Sequence, residues 1–195
     1  VGMEKDTSSI PGVTVQKVIH GTHKGSPAMT ESEAEKAAAA GMAVEKSVRM
    51  QGFQAVGLGN IGERAMLSAL AVTAAVMKDD IRNAASKQGY RVELGYGDID
   101  LGREPLRFLA QVGSAEIAAL FGFTAAACRD HMAVVFDNAV TGAAVLITTE
   151  IYPEAADYVF PSAAYDEPVH RMQMQKLGMK PFLHYDFSID QGLGS

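Results

Sequence analysis

Phe53-Gln54-Ala55-Val56-Gly57-Leu58-Gly59-Asn60-Ile61-Gly62 carries the signal that decides the fold class. Residues 53–56 are short and apolar enough for a buried strand, residues 57–62 are spaced for a glycine turn, and residues 63–77 read as a helix. Strand, glycine turn and helix in that order open a unit in which parallel strands alternate with helices. The glycines also match G-x-G-x-x-G, a loop whose backbone N–H groups and following helix N-terminus receive phosphate. A dinucleotide site needs in addition an acid at the end of a second strand about twenty residues on. Asp79 and Asp80 stand near that distance but follow an alanine-rich helical run, so the ribose-binding acid is misplaced. A phosphate or nucleotide site of another kind fits better, and a purely structural turn stays open.

Working outward, Thr30-Glu31-Ser32-Glu33 has the form of a capping box, followed by an alanine-rich helix to Met50 that Gly52 stops. Upstream, residues 13–19 alternate and are β-branched, which suits a strand leading into a polar loop over 21–27. Downstream, Gly89, Gly95, Gly97 and Gly102 interrupt any periodicity over 78–103, leaving loop with one strand at 90–94. Helices are then expected at 104–111, 114–128, 139–147 and 167–177, the last closed by Gly178, and strands at 132–136, 158–160 and 181–185. Strands too apolar to face water, alternating with helices, predict an α/β fold around a mostly parallel sheet, as one domain over residues 1–195.

Composition narrows the function. The 195 residues are 48% apolar and 21% charged with formal net charge −6, and the charges are scattered. No basic patch serves a phosphate backbone and no apolar run has the roughly 20 residues that span a bilayer, so neither nucleic acid nor membrane is an expected partner. The lone Cys128 cannot build a disulfide framework or a cysteine zinc site, and the reading is cytoplasmic. His20 and His23 fall in a loop, and His131 and His184 have no second imidazole near them in sequence, so no metal site and no cofactor are expected. The start at Val1 and the glycine-spaced close Gln191-Gly192-Leu193-Gly194-Ser195 read as a fragment or processed chain, with an ordinary chain end as the alternative.

Some residues could carry chemistry. Asp137-Asn138 ends an apolar strand, the edge where open α/β sheets bind ligands; a helix cap is the competing reading. Glu167 and His170 place an acid and an imidazole three residues apart at a helix start, against the plainer reading of an acidic first turn with a surface histidine. Cys128 and the Met172, Met174, Met179 group read as packing.

In order along the chain, Pro27-Ala28-Met29-Thr30, Gly113-Ser114-Ala115-Glu116-Ile117-Ala118, Val134-Val135-Phe136-Asp137-Asn138, Tyr158, Glu167-Pro168-Val169-His170-Arg171 and Leu177-Gly178-Met179-Lys180-Pro181 resemble the nicotinate-nucleotide:dimethylbenzimidazole phosphoribosyltransferase family. The resemblance implies a Rossmann-like three-layer domain, here the C-terminal portion of a longer family chain, and transfer of a phosphoribosyl group from nicotinate mononucleotide to an aromatic base. It implies phosphate contacts at Gly57, Gly59, Asn60, Gly62, Gly192 and Gly194, and substrate contacts at Asp137, Asn138 and His170. It also implies a homodimer, or a heterodimer with a related subunit.

The departures fall where that family does its chemistry. Its glycine loop reads Gly-Glu-Met-Gly-Ile-Gly-Asn-Thr-Thr; the ungapped register, preferred because it keeps both flanks aligned, puts Asn60 in place of the glutamate, whereas a gapped one matches Gly57-Leu58-Gly59-Asn60 to Gly-Ile-Gly-Asn. Its closing Gly-Glu-Gly-Ser-Gly carries the glutamate assigned as general base, and Gln191 occupies that position. An amide cannot accept the proton. Asp190 or Glu167 would have to take over, a partner subunit would have to supply the base, or the chain is a non-catalytic or regulatory relative. The altered loop also leaves room for a phenolic acceptor in place of a benzimidazole.

Overall fold

The computed structural model describes residues 28–60, 65–77, 101–165 and 167–184. In chain order these form α1 (Glu31–Met50), β1 (Ala55–Leu58), α2 (Ala65–Met77), α3 (Pro105–Val112), α4 (Ala115–Arg129), β2 (Ala133–Phe136), α5 (Ala139–Ile151), a 3-10 turn at Pro153–Asp157, β3 (Val159–Pro161), β4 (Ala163–Ala164), α6 (Pro168–Leu177) and β5 (Leu183–His184). The sheet order is β1-β2-β3, all parallel, with Leu58 opposite Phe136 and Phe136 opposite Pro161. A second parallel pair, β4-β5, lies beside it. The fold is α/β with a parallel sheet, as the strand–helix alternation predicts. The strands expected at 13–19 and 90–94 lie outside the described residues.

Local chemistry accounts for the helix starts. Thr30 Oγ1 accepts from Glu33 N at 3.2 Å while Thr30 N donates to Glu33 Oε2 at 2.8 Å, the reciprocal box read from the sequence. Ser114 Oγ likewise accepts from Ile117 N at 3.3 Å to start α4. Gly52 and Gly178 follow α1 and α6 at φ +87° and +66°, left-handed backbone that glycine adopts without a Cβ penalty.

Several boundaries differ from expectation. Gly57 and Leu58 belong to β1 and not to a turn, because pairing with Val135 and Phe136 supplies ladder bonds that override the turn preference of glycine. Phe53 is exposed and precedes the strand; β1 lies at the edge of the described sheet and buries only Leu58. Helix α5 runs on to Ile151, the hydroxyls of Thr148 and Thr149 satisfied on the carbonyls of Ala144 and Val145, and Tyr152-Pro153 then ends it.

Helix α5 is buried along residues 139–148 and serves as the central rod. One apolar cluster joins α1 through α5 around Leu109, Ile117, Phe121 and Ile147. Another joins the sheet to its helices through Val134, Phe136, Val159, Val145 and Met174. Where α1 crosses α4 the backbones touch: a Cβ at Gly41 would lie 2.8 Å from both Ala119 C and Phe123 N, and one at Gly122 would lie 2.7 Å from Ala38 C. No helix among the described residues is long and apolar enough to cross a membrane.

Candidate active site

Parallel strands deliver their C-terminal ends to one edge. Gly59 and Asn60 follow β1, Asp137 and Asn138 follow β2, and Ser162 follows β3. Asn60, Asp137, Asn138 and Ser162 are all buried, and Glu167, His170 and Gln173 on the next helix are buried as well. So many buried polar groups at one sheet edge require partners, and most have them.

Asn138 caps α5: its Oδ1 accepts from Val140 N at 3.0 Å and Thr141 N at 3.2 Å, and Thr141 Oγ1 accepts from Asp137 N and Asn138 N. The helix-cap reading holds for Asn138, whose cap uses Oδ1 and leaves Nδ2 without a partner among the described residues. Asp137 Oδ1 accepts from Ser162 Oγ at 2.9 Å and from the Tyr165 hydroxyl, which fixes one carboxylate oxygen and leaves Oδ2 unpaired.

Glu167 caps α6, its two oxygens accepting from Val169 N at 2.8 Å and His170 N at 2.6 Å. His170 is no surface residue: it is 1% exposed and packs edge-on to Tyr165 with ring centroids 5.4 Å apart. Its Nε2 lies 3.3 Å from the Ala163 carbonyl, which can only accept, so Nε2 carries the hydrogen and Nδ1 of the neutral ring keeps a lone pair with no partner. Burial pushes the imidazole below its usual range, against the opposing pull of the Ala163 bond and the charges of Glu167 and Asp137.

Among the described residues, the edge therefore presents an unpaired carboxylate oxygen, an unpaired amide N–H2 and an unpaired imidazole nitrogen, all buried. Unpaired buried polar atoms are costly unless a ligand meets them, and this set, two acceptors and one donor, suits hydroxyl groups, which both donate and accept. Of the residues singled out in the sequence, Gly59, Asn60, Asp137, Asn138, Glu167 and His170 all lie at the C-terminal edge, and Gly57 lies within β1 just before it. Gly62, Asp190, Gln191, Gly192 and Gly194 lie outside the described residues. Sequence reasoning missed Ser162, just after β3, and Tyr165, just after β4.

Cys128 is buried with Sγ 3.8 Å from the Ala155 carbonyl, and burial pushes its thiol up to about 11, a packing role. Tyr158 lies at the opposite edge of the sheet, where its hydroxyl sits 2.6 Å from His131 Nδ1 beside a cleft of about 650 Å³ that Arg49, Phe53 and Asp130 also line.

A parallel α/β sheet with polar side chains gathered beyond its strand ends has the layout in which open α/β folds bind small molecules. The phosphoribosyltransferase family model DBI_PRT matches residues 1–195, and the chain belongs to that family. Similar proteins include the nicotinate-nucleotide–dimethylbenzimidazole phosphoribosyltransferase of Geobacter sp. strain M21, 28% identical over 100% of this chain and 60% of its own length. That of Ruminiclostridium cellulolyticum is 30% identical over 100% of this chain and 59% of its own. The crystal structure of the Thermus thermophilus enzyme of the same name superposes with a TM-score of 0.72 at 27% identity, covering 87% of this chain and 53% of that one. The chain thus spans about 60% of the length of the curated relatives it matches.

Proposed function

We propose that this chain is the C-terminal portion of a phosphoribosyltransferase that moves the phosphoribosyl group of nicotinate mononucleotide to a benzimidazole or phenolic base, giving an α-ribotide for cobamide synthesis. The observation that carries the reading is family membership along residues 1–195. The buried cluster at the strand ends is consistent with it.

In this reaction the bond between the ribose C1′ and the pyridinium nitrogen breaks, and nicotinate leaves with the electron pair that neutralises its ring. The lone-pair ring nitrogen of a benzimidazole, or the oxygen of a phenol, forms the new bond to C1′, and the proton of the other ring nitrogen or of the phenol hydroxyl goes to a base. Asp137, held by Ser162 and Tyr165, and Asn138, held by its cap bonds, have one free polar atom each to orient a ribose, and their fixed partners keep the geometry rigid. Gly59 and Asn60, which follow β1, supply backbone for the phosphate. Gln191 cannot act as the base, so the proton goes to Asp190 or to Glu167. Glu167 already accepts two backbone bonds, which favours Asp190.

The amide at Gln191 also supports a second reading, in which the chain pairs with a related subunit that supplies the base, or keeps the fold as a nucleotide-binding or regulatory relative. We take the protein to act in the cytoplasm as a homodimer or such a heterodimer, with no nucleic-acid partner. Calorimetric titration separates the readings. A catalytic chain binds nicotinate mononucleotide and dimethylbenzimidazole together; a dinucleotide module prefers NAD; a chain that only completes a partner's site binds neither. Preference for NAD sinks the proposal.

A further inference from the structure

Gln173 is fully buried on α6, and its Nε2 lies 2.7 Å from Thr73 Oγ1 on α2 and 3.0 Å from the carbonyl of Ala139, the first residue of α5. The amide orientation is fixed by its partners. The Ala139 carbonyl only accepts, and Thr73 Oγ1 already donates to Ala69 O at 2.8 Å, so both require a donor from Gln173. The amide oxygen is left without a hydrogen-bond partner and faces Gly142, where a Cβ would lie 3.2 Å from Gln173 Cδ and nearer still to Oε1. A glycine thus opens the space for a side chain whose burial leaves an unsatisfied oxygen. An apolar residue would fill the same volume without that loss.

What the amide adds is direction. Helices α5 and α6 each begin at the candidate site, α5 at Asn138 and α6 at Glu167. Gln173 stands one turn after His170 on the same face of α6, and its bond to Ala139 O reaches the residue next to Asn138. One side chain therefore sets the rotation of α6, and with it the place of His170, against the residues that end β2.

We propose that Gln173 is a positioning residue that registers α6, and His170 with it, against the start of α5 and the body of α2. Its effect on turnover rests on the phosphoribosyl-transfer reading; its effect on the geometry does not.

The test compares the natural chain with Gln173→Leu and with the nearly isosteric Thr73→Val, which removes only the partner. Hydrogen exchange by NMR is expected to quicken at least about tenfold at the amides of Val140, Thr141, Val169 and His170. The amides of α1 and α4 are expected to keep their rates. Where nicotinate mononucleotide is turned over, its KM rises or kcat falls by about tenfold at temperatures far below unfolding. Unchanged exchange at the four amides, or an equal acceleration in every helix, overturns the proposal by reducing Gln173 to packing. Selective acceleration in a chain that has no transferase activity keeps the positioning role and removes the functional reading instead.

Discussion

Replacing Gly41 by alanine sets two effects of opposite sign against each other. In an isolated helix the change gains about 1 kcal/mol of propensity. In this fold the new Cβ would lie 2.8 Å from Ala119 C and Phe123 N, and nearer to the Ala119 carbonyl oxygen. Ordinary carbon contacts lie at about 3.5 Å or more, so α1 and α4 must part by roughly 0.7 Å or farther. A gap of that size forfeits a quarter to a half of the dispersion energy of atoms facing across it. With some tens of atom pairs at about 0.1–0.2 kcal/mol each, the loss is about 3–4 kcal/mol. The net is a destabilisation of about 2–3 kcal/mol, read as a melting point lowered by roughly 5–10 °C for a chain of this size. Urea unfolding followed by circular dichroism gives the free energy, and Gly52→Ala is the control. Gly52 has open space around it and φ +87°, so it loses only the backbone term of about 1 kcal/mol. A Gly41→Ala protein more stable than its parent would refute the close crossing of α1 on α4.

The Cys128 thiol, pushed up to about 11, is expected to resist iodoacetamide at pH 8 in the folded chain and to react fully in urea; mass spectrometry of the labelled chain checks it. His170 titrates below its usual range when folded, so the unfolded chain binds the extra proton first as pH drops through 6.5. Stability is therefore expected to decline as pH falls from about 6.5 toward the lowered folded value, and His170→Gln is expected to show a shallower decline in urea midpoints over pH 7.5–5. Asn138→Ala removes the acceptor for Val140 N and Thr141 N and is expected to cost about 1 kcal/mol in the same assay. Asp137→Ala leaves the hydroxyls of Ser162 and Tyr165 without their acceptor, and a loss of about 1–3 kcal/mol accompanied by lost nucleotide affinity in calorimetry is expected.

The helices were legible wherever capping chemistry is written locally. Thr30 with Glu33, Ser114, Asn138 and Gly178 each mark an end through bonds within a few residues, and each stands where its residue type places it. Strand β1 was displaced by two residues because its extent is decided by pairing with β2, a partner 78 positions away in the register Ala55 to Ala133 that no local pattern reveals. The same limit applies to the site. Asp137, Asn138, Glu167 and His170 stood out as residue types at strand and helix ends, whereas Tyr165 and Gln173 take their roles only through Asp137, Thr73 and Ala139, which the fold brings from distant parts of the chain. The plain reading of His170 as a surface histidine failed for that reason: α6 turns it inward against Tyr165 and the carbonyl of Ala163.

The most direct test follows nicotinate release and ribotide formation from nicotinate mononucleotide with dimethylbenzimidazole or phenol, using the natural chain and Gln191→Glu. Phosphoribosyl transfer predicts the two products in equal amounts, with Gln191→Glu faster by about 10²-fold if the missing base belongs at that position. Nicotinate release no faster than in buffer, from both chains and with both acceptors, would contradict it.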